Sequence, residues 1–171
     1  MSANSNMDNY IDIMEEQERV LVFDHFTRKD AWDLGHVFVD LIGEKQLPAP
    51  ICIRLLSGLI VFQFSGDGTN ADNQYWMLRK FRMVRDLEQS TLLSVAWFKK
   101  KGETLESRGL DRSRYADAGG GFPLRVKGAG IAGVATVSGL PQTQDHALLI
   151  GGISRYLGIE NPPRLPEDAL I

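Results

Sequence analysis

The chain has 171 residues, 43% hydrophobic and 24% charged, the proportions of one ordinary globular domain and not of a disordered or fibrous chain. Its net charge of -3 supplies no field that would draw nucleic acid or an anionic membrane surface. Cys52 is the single cysteine, which excludes an intramolecular disulfide and a four-cysteine zinc site and suits a reducing compartment.

Residues 1–9 are polar and expected to be loose. The start "MSANSNMDNYIDIMEEQERV" has neither the basic head nor the apolar centre of a secretory signal, and no apolar run approaches the roughly 20 residues that span a bilayer. A cytoplasmic protein without a membrane segment is expected. A short helix over 10–18 leads to "VLVFDHF" (20–26), whose β-branched and aromatic content suits a short strand at a sheet edge. Thr27 is a plausible N-cap for a helix over 28–45, where Ala31, Leu34, Phe38, Leu41 and Ile42 recur at three and four residues and mark a buried face. "LPAP" breaks that helix. "ICIRLL" and "LIVFQF" then flank Ser57 and Gly58, a two-residue connection suited to a tight hairpin.

Polar groups in "SGDGTNAD" can cap a helix over 71–89 with Met77, Phe81 and Val84 along its buried stripe. The next helix, 91–101, ends in "KKKG", cations at the negative end of the dipole and a glycine where the chain turns out. Short helical turns follow at 103–108 and 111–116. "FPLRVKGAGIAGVATVSG" reads as two strands about a glycine-rich turn, and "PQTQDHALLIGGISRYLG" as the last helix. The expected domain covers 10–158, and the tail over 159–171 holds three of the seven prolines. It should stay extended unless it docks on a neighbour. Strand runs separated by helix runs predict an α+β domain with a mostly antiparallel sheet.

Few residues pattern as chemistry. "GAGIAG" (128–133) has the spacing of a dinucleotide-binding turn, but a strand follows it where that turn requires a helix N-terminus, so its glycines are better read as a hairpin and a thin strand. His36 lies on a charged helix face with Asp33 and Asp40, His25 in the Phe-rich "FDHF". Cys52 sits in an apolar strand with no local basic group to activate it. Arg79, Lys80, Arg82 and Arg85 place four cations within seven residues and can either hold a carboxylate or phosphate or form a solvated face paired to Asp86 and Glu88. Asp145 and His146 fall near the start of the last helix, with Pro141 suited to its first position and His146 at the head of the stripe Leu149, Ile150, Ile153. Gly151 and Gly152 each cost that helix about 1 kcal/mol against alanine, which predicts a close approach by another backbone, such as a subunit.

"ERVLVFDHF", "ADNQYW", "ETLESRGLDRSRYADAGGGFPLRV" and "GAGIAGVATVSGLPQTQDHALLI" resemble, in order and spacing over residues 14–157, the cytosolic branch of the haem-degrading-domain superfamily, the GlcG/HbpS-like proteins. The Gly-Gly-x-Phe-Pro strand entry at 119–123 and the "TVSGLPQ..DHAL" segment carry most of the likeness. The resemblance implies a profilin-like sandwich with an antiparallel four- or five-stranded sheet packed with helices, assembled as a homo-oligomer. It also implies a branch mostly without assigned activity, since the haem label comes from relatives. Glu88 and Gln89 stand where the branch has Gly-His, and Ala118 where it has the histidine before the Gly-Gly; of its motif histidines only His146 is kept. Haem is thereby possible but disfavoured, because neither glutamine nor alanine supplies an axial imidazole.

The expected function is an oligomeric binding protein for a small anionic molecule, without strong catalysis, using Arg79 and Lys80 for charge and Asp145 and His146 for hydrogen bonds. An adaptor oligomer presenting repeated copies of one surface is the alternative, with haem binding and degradation ranked below both.

Overall fold

The apolar periodicities resolve into ten elements in the computed structural model, which describes residues 3–171. They are α1 (Ala3–Val20), β1 (Val22–Phe23), α2 (Arg28–Glu44), β2 (Ile51–Leu55), β3 (Ile60–Phe64), α3 (Ala71–Leu87), α4 (Thr91–Lys101), β4 (Gly121–Val126), β5 (Gly130–Val137) and α5 (Gln142–Leu157). The strands form one sheet in the order β1-β4-β5-β2-β3, antiparallel except for the β1–β4 pair, which is parallel. The architecture is α+β, as expected, and the single departure from an antiparallel sheet is the two-residue edge strand β1.

Alternation along β5 assigns the two layers. Ala135 and Val137 join Phe38, Ile51, Ile53, Phe122 and Ile153 in the main core, on the face covered by α2 and α5. Val134 points the other way, against Phe81 and Val84 of α3, as the two-residue period of a strand requires. Gly133 is thin for a reason: a Cβ there would lie 2.7 Å from the Arg54 carbonyl oxygen of the neighbouring strand. "GAGIAG" is therefore the β4–β5 turn and a close strand contact.

Caps fix the helices where the sequence places them. The Thr27 hydroxyl accepts the Asp30 N–H at 3.2 Å and the Asp30 carboxylate accepts the Thr27 N–H at 2.6 Å, satisfying two amides that a helix start leaves open. His25 Nδ1 and the Tyr156 hydroxyl each lie 2.9 Å from the same carboxylate. Burial pushes Asp30 up, but these bonds outweigh it and hold the carboxyl well below the usual range. His25 thus belongs to the α2 cap. Asn70 caps α3 in the same way with Asn73.

Four local expectations change. Residues 3–9, expected to be loose, are the first turns of α1, because Met7 and Tyr10 pack with Ile11 and Met14 against α4. The β2–β3 connection is longer than two residues: Leu55 N–H donates to Leu59 O and Gly58 has φ +91°, so Leu56, Ser57 and Gly58 form a three-residue loop with glycine in the left-handed position. Pro141 is the N-cap of α5, one residue outside the helix. Gly152 is approached not by a backbone or a subunit but by a side chain of the same molecule, since a Cβ there would fall on the Phe38 ring, while Gly151 meets nothing closer than Leu41 Cδ1 at 4.0 Å.

The tail has no helix or strand, yet it is anchored. Ile171 and Leu165 pack on the α1–α4 cluster, Gln142 Nε2 donates to the Ile171 carbonyl at 2.6 Å, and Gln17 Nε2 donates to the Pro163 carbonyl at 2.9 Å. It docks on its own chain.

Candidate functional site

Two of the four expected site residues meet in the interior. Lys80 Nζ donates to Asp145 Oδ2 and to the Val137 carbonyl, both at 2.9 Å, and Asp145 Oδ1 accepts the Leu140 N–H at 3.1 Å. Their side chains are 3% and 2% exposed, so the pair ties α3 to α5 and to the end of β5. Burial lowers the Lys80 ammonium and raises the Asp145 carboxyl, and the mutual attraction opposes both shifts. The Gly-Gly-x-Phe-Pro entry is the cradle of this pair. Gly120 has φ +115°, and a Cβ on it would stand 2.7 Å from Lys80 Nζ; beside it, Gly121 N–H donates to Thr91 Oγ1 at 2.9 Å.

His146 is adjacent in sequence but turned toward α1. Its Nε2 lies 2.8 Å from Gln17 Oε1. Because Gln17 Nε2 is committed to the Pro163 carbonyl, its oxygen must accept, and the histidine proton belongs on Nε2. Nδ1 is buried without a partner, and burial alone lowers the imidazole from 6.5 to about 4. Arg79 lies elsewhere, about 100° round the helix from Lys80, with its guanidinium 4.2 Å over the Trp76 ring and Nε donating to the Tyr115 carbonyl at 3.3 Å. The basic run therefore does not act as one face: Lys80 is in the core and Arg85 is paired to Asp86 at 2.6 Å.

An open cleft of about 460 Å³ lies between α1, the α3–α4 junction and β4. On its wall Glu18 Oε1 accepts the Ser90 N–H at 2.6 Å and Oε2 accepts from Arg125 Nη2 at 3.2 Å. Arg125 Nη2 also donates to the Glu88 carbonyl. Burial raises the Glu18 carboxyl above its ordinary value despite the bonds from Ser90 and Arg125. Gln89 closes one side, its amide donating to Ser94 Oγ at 2.9 Å. Glu88 has φ +56°, a left-handed conformation that glycine adopts with less strain, which accounts for the Gly-His expected at 88–89 from the resemblance. The cleft thus sits at one of the two replaced histidine positions.

Sequence reasoning missed Glu18 and Arg125. The signal was present on α1, where Gln17 and Glu18 interrupt a stripe of Ile11, Met14 and Leu21, polar groups in places that packing reserves for apolar ones. Chemically, the cleft offers guanidinium donors, a side-chain amide and carboxyl groups. A small acid-bearing molecule matches that set.

A family model described as "Haem degrading protein HbpS-like" matches residues 26–154. The chain belongs to this family. Among its relatives are a UPF0303 protein of Streptomyces coelicolor, 42% identical over 85% of this chain and 92% of the relative, and one of Rhizobium etli, 40% identical over 88% and 92%. The solved structure of Ybr137w protein superposes with a TM-score of 0.79 at 25% identity, covering 86% of this chain and 87% of that one. HbpS itself gives 0.61 at 19% identity over 78% and 91%, a likeness of fold.

The cleft of this HbpS-like chain offers no axial imidazole to a haem. His146 is 1% exposed, with Nε2 bound to Gln17. Positions 88–89 and 118 carry Glu, Gln and Ala. Glu15, Glu18 and Glu88 share the cleft with Arg19 and Arg125, and no imidazole lines it.

Proposed function

We propose that this HbpS-like protein binds a small acid-bearing molecule in the Glu18–Arg125 cleft, without strong catalysis, as a cytoplasmic homo-oligomer. One observation carries the ligand: a buried carboxyl and a guanidinium share a hydrogen bond on the wall of an open cleft. The Arg125 side chain is 30% exposed, and its Nη2 alone is engaged by Glu18 and Glu88, which leaves donors for an acid group. The flanking Glu15 and Glu88 favour a ligand that also carries a donor or a positive charge, such as an amino acid. Arg79, Lys80, Asp145 and His146 do not line this cleft.

Calorimetric titration with small carboxylic acids and amino acids tests this. At least one should bind wild type, and Arg125→Ala should weaken it about tenfold or more. Equal affinity in an Arg125→Ala protein that melts like wild type would remove the cleft from consideration.

A further inference from the structure

Among the described residues, exposed large hydrophobic side chains include Leu56 at 39%, Leu59 at 48% and Ile60 at 43%, all at the β2–β3 corner, and Trp32 of α2 at 55%. Leu56 and Leu59 flank the β2–β3 loop and Ile60 opens β3. Trp32 stands beside the middle of β3 from α2, its ring 6.0 Å from that of Phe62 in an edge-on contact. The strand they surround, Ile60–Phe64, is the last of the sheet and is paired on one side only.

That edge lacks the usual protections. "IVFQF" has no charge and no proline, and an uncharged free edge offers its unpaired N–H and C=O groups to any strand that approaches. The opposite edge differs. β1 is two residues long and is flanked by the exposed Lys127–Asp24 ion pair at 3.5 Å, so it cannot receive β3 in a head-to-tail array. Only a β3 edge matches a β3 edge. Self-pairing brings no like charges together within the strand, and an antiparallel pair about a two-fold axis satisfies the symmetry of a closed dimer.

We infer that β3 pairs antiparallel with β3 of a second copy, joining two five-stranded sheets, with Trp32 and the Leu56–Ile60 corner of each copy covering the junction. An extended peptide from another protein would use the strand edge alone; the exposed Trp32 beside β3 and the exposed Leu56, Leu59 and Ile60 at its start fit a second copy that carries the same groups. The surface deepens the homo-oligomer part of the proposed function and is independent of the ligand cleft.

Sedimentation equilibrium of wild type and of the double variant Leu59→Lys, Ile60→Lys tests the surface, with hydrogen exchange as the second measurement. Both side chains are exposed, so the variant should keep its helical signal and melting temperature. Wild type should sediment as an even multiple of the 19.1 kDa chain, and the variant at half that mass or less. The 60–64 amides should exchange about tenfold faster in the variant. A monomeric wild type overturns both this surface and the oligomer. A multimeric wild type whose mass and 60–64 protection survive the two lysines overturns the surface and leaves the oligomer standing.

Discussion

Lys80 Nζ stands 2.9 Å from Asp145 Oδ2 with both side chains almost wholly out of solvent, and 65 residues of chain separate the two. A buried pair of this kind adds little net stability over an apolar replacement, but either partner alone leaves an uncompensated charge. Asp145→Ala should therefore lower the unfolding free energy by about 3–5 kcal/mol. The double variant Lys80→Met, Asp145→Leu should recover at least half of that loss, read from urea unfolding of the three proteins. Additive losses would show that the two side chains are not coupled.

His146 links stability to pH with a definite sign. Its folded value of about 4 lies below the ordinary 6.5, so the unfolded chain binds the proton more tightly. Stability from this group is complete above pH 6.5 and drains as pH falls toward 4, by about 3 kcal/mol. His146→Gln should unfold with a flatter pH dependence across that window. Asp30, held low, contributes in the same direction only at more acidic pH. An unchanged slope in the variant would mean that another group titrates there.

Adjacent glycines in α5 should respond oppositely to alanine. At Gly151 the new methyl meets nothing nearer than Leu41 at 4.0 Å, so Gly151→Ala should stabilise by about 0.5–1 kcal/mol. At Gly152 it collides with the Phe38 ring, and the packing cost of about 1–3 kcal/mol exceeds the helical gain. Thermal melts of the two single variants decide it, with shifts of opposite sign expected.

The parts legible in the sequence were those with a local signature. The Thr27 cap and α2 stripe, the hairpin around Gly58 and the glycines of "GAGIAG" each announce themselves within a dozen residues. What escaped was set at long range. Glu18 and Arg125 lie 107 residues apart, and nothing near either one signals the other. β1 exists only because β4 is beside it, and the tail is held by Gln17 and Gln142, neither of which patterns as an anchor. Lys80 stands out as one of a run of cations and Asp145 as a hydrogen-bonding group near a helix start; that each satisfies the other depends on the left-handed Gly120 that lets Lys80 approach.

An acid-bearing small molecule, and not haem, is the occupant proposed for the Glu18–Arg125 cleft. Native mass spectrometry of the protein as purified from cells, with the Arg125→Ala and His146→Ala variants alongside, tests it most directly. A bound species much lighter than haem that disappears in Arg125→Ala and persists in His146→Ala is the predicted result. A haem adduct retained by Arg125→Ala and lost from His146→Ala would contradict it.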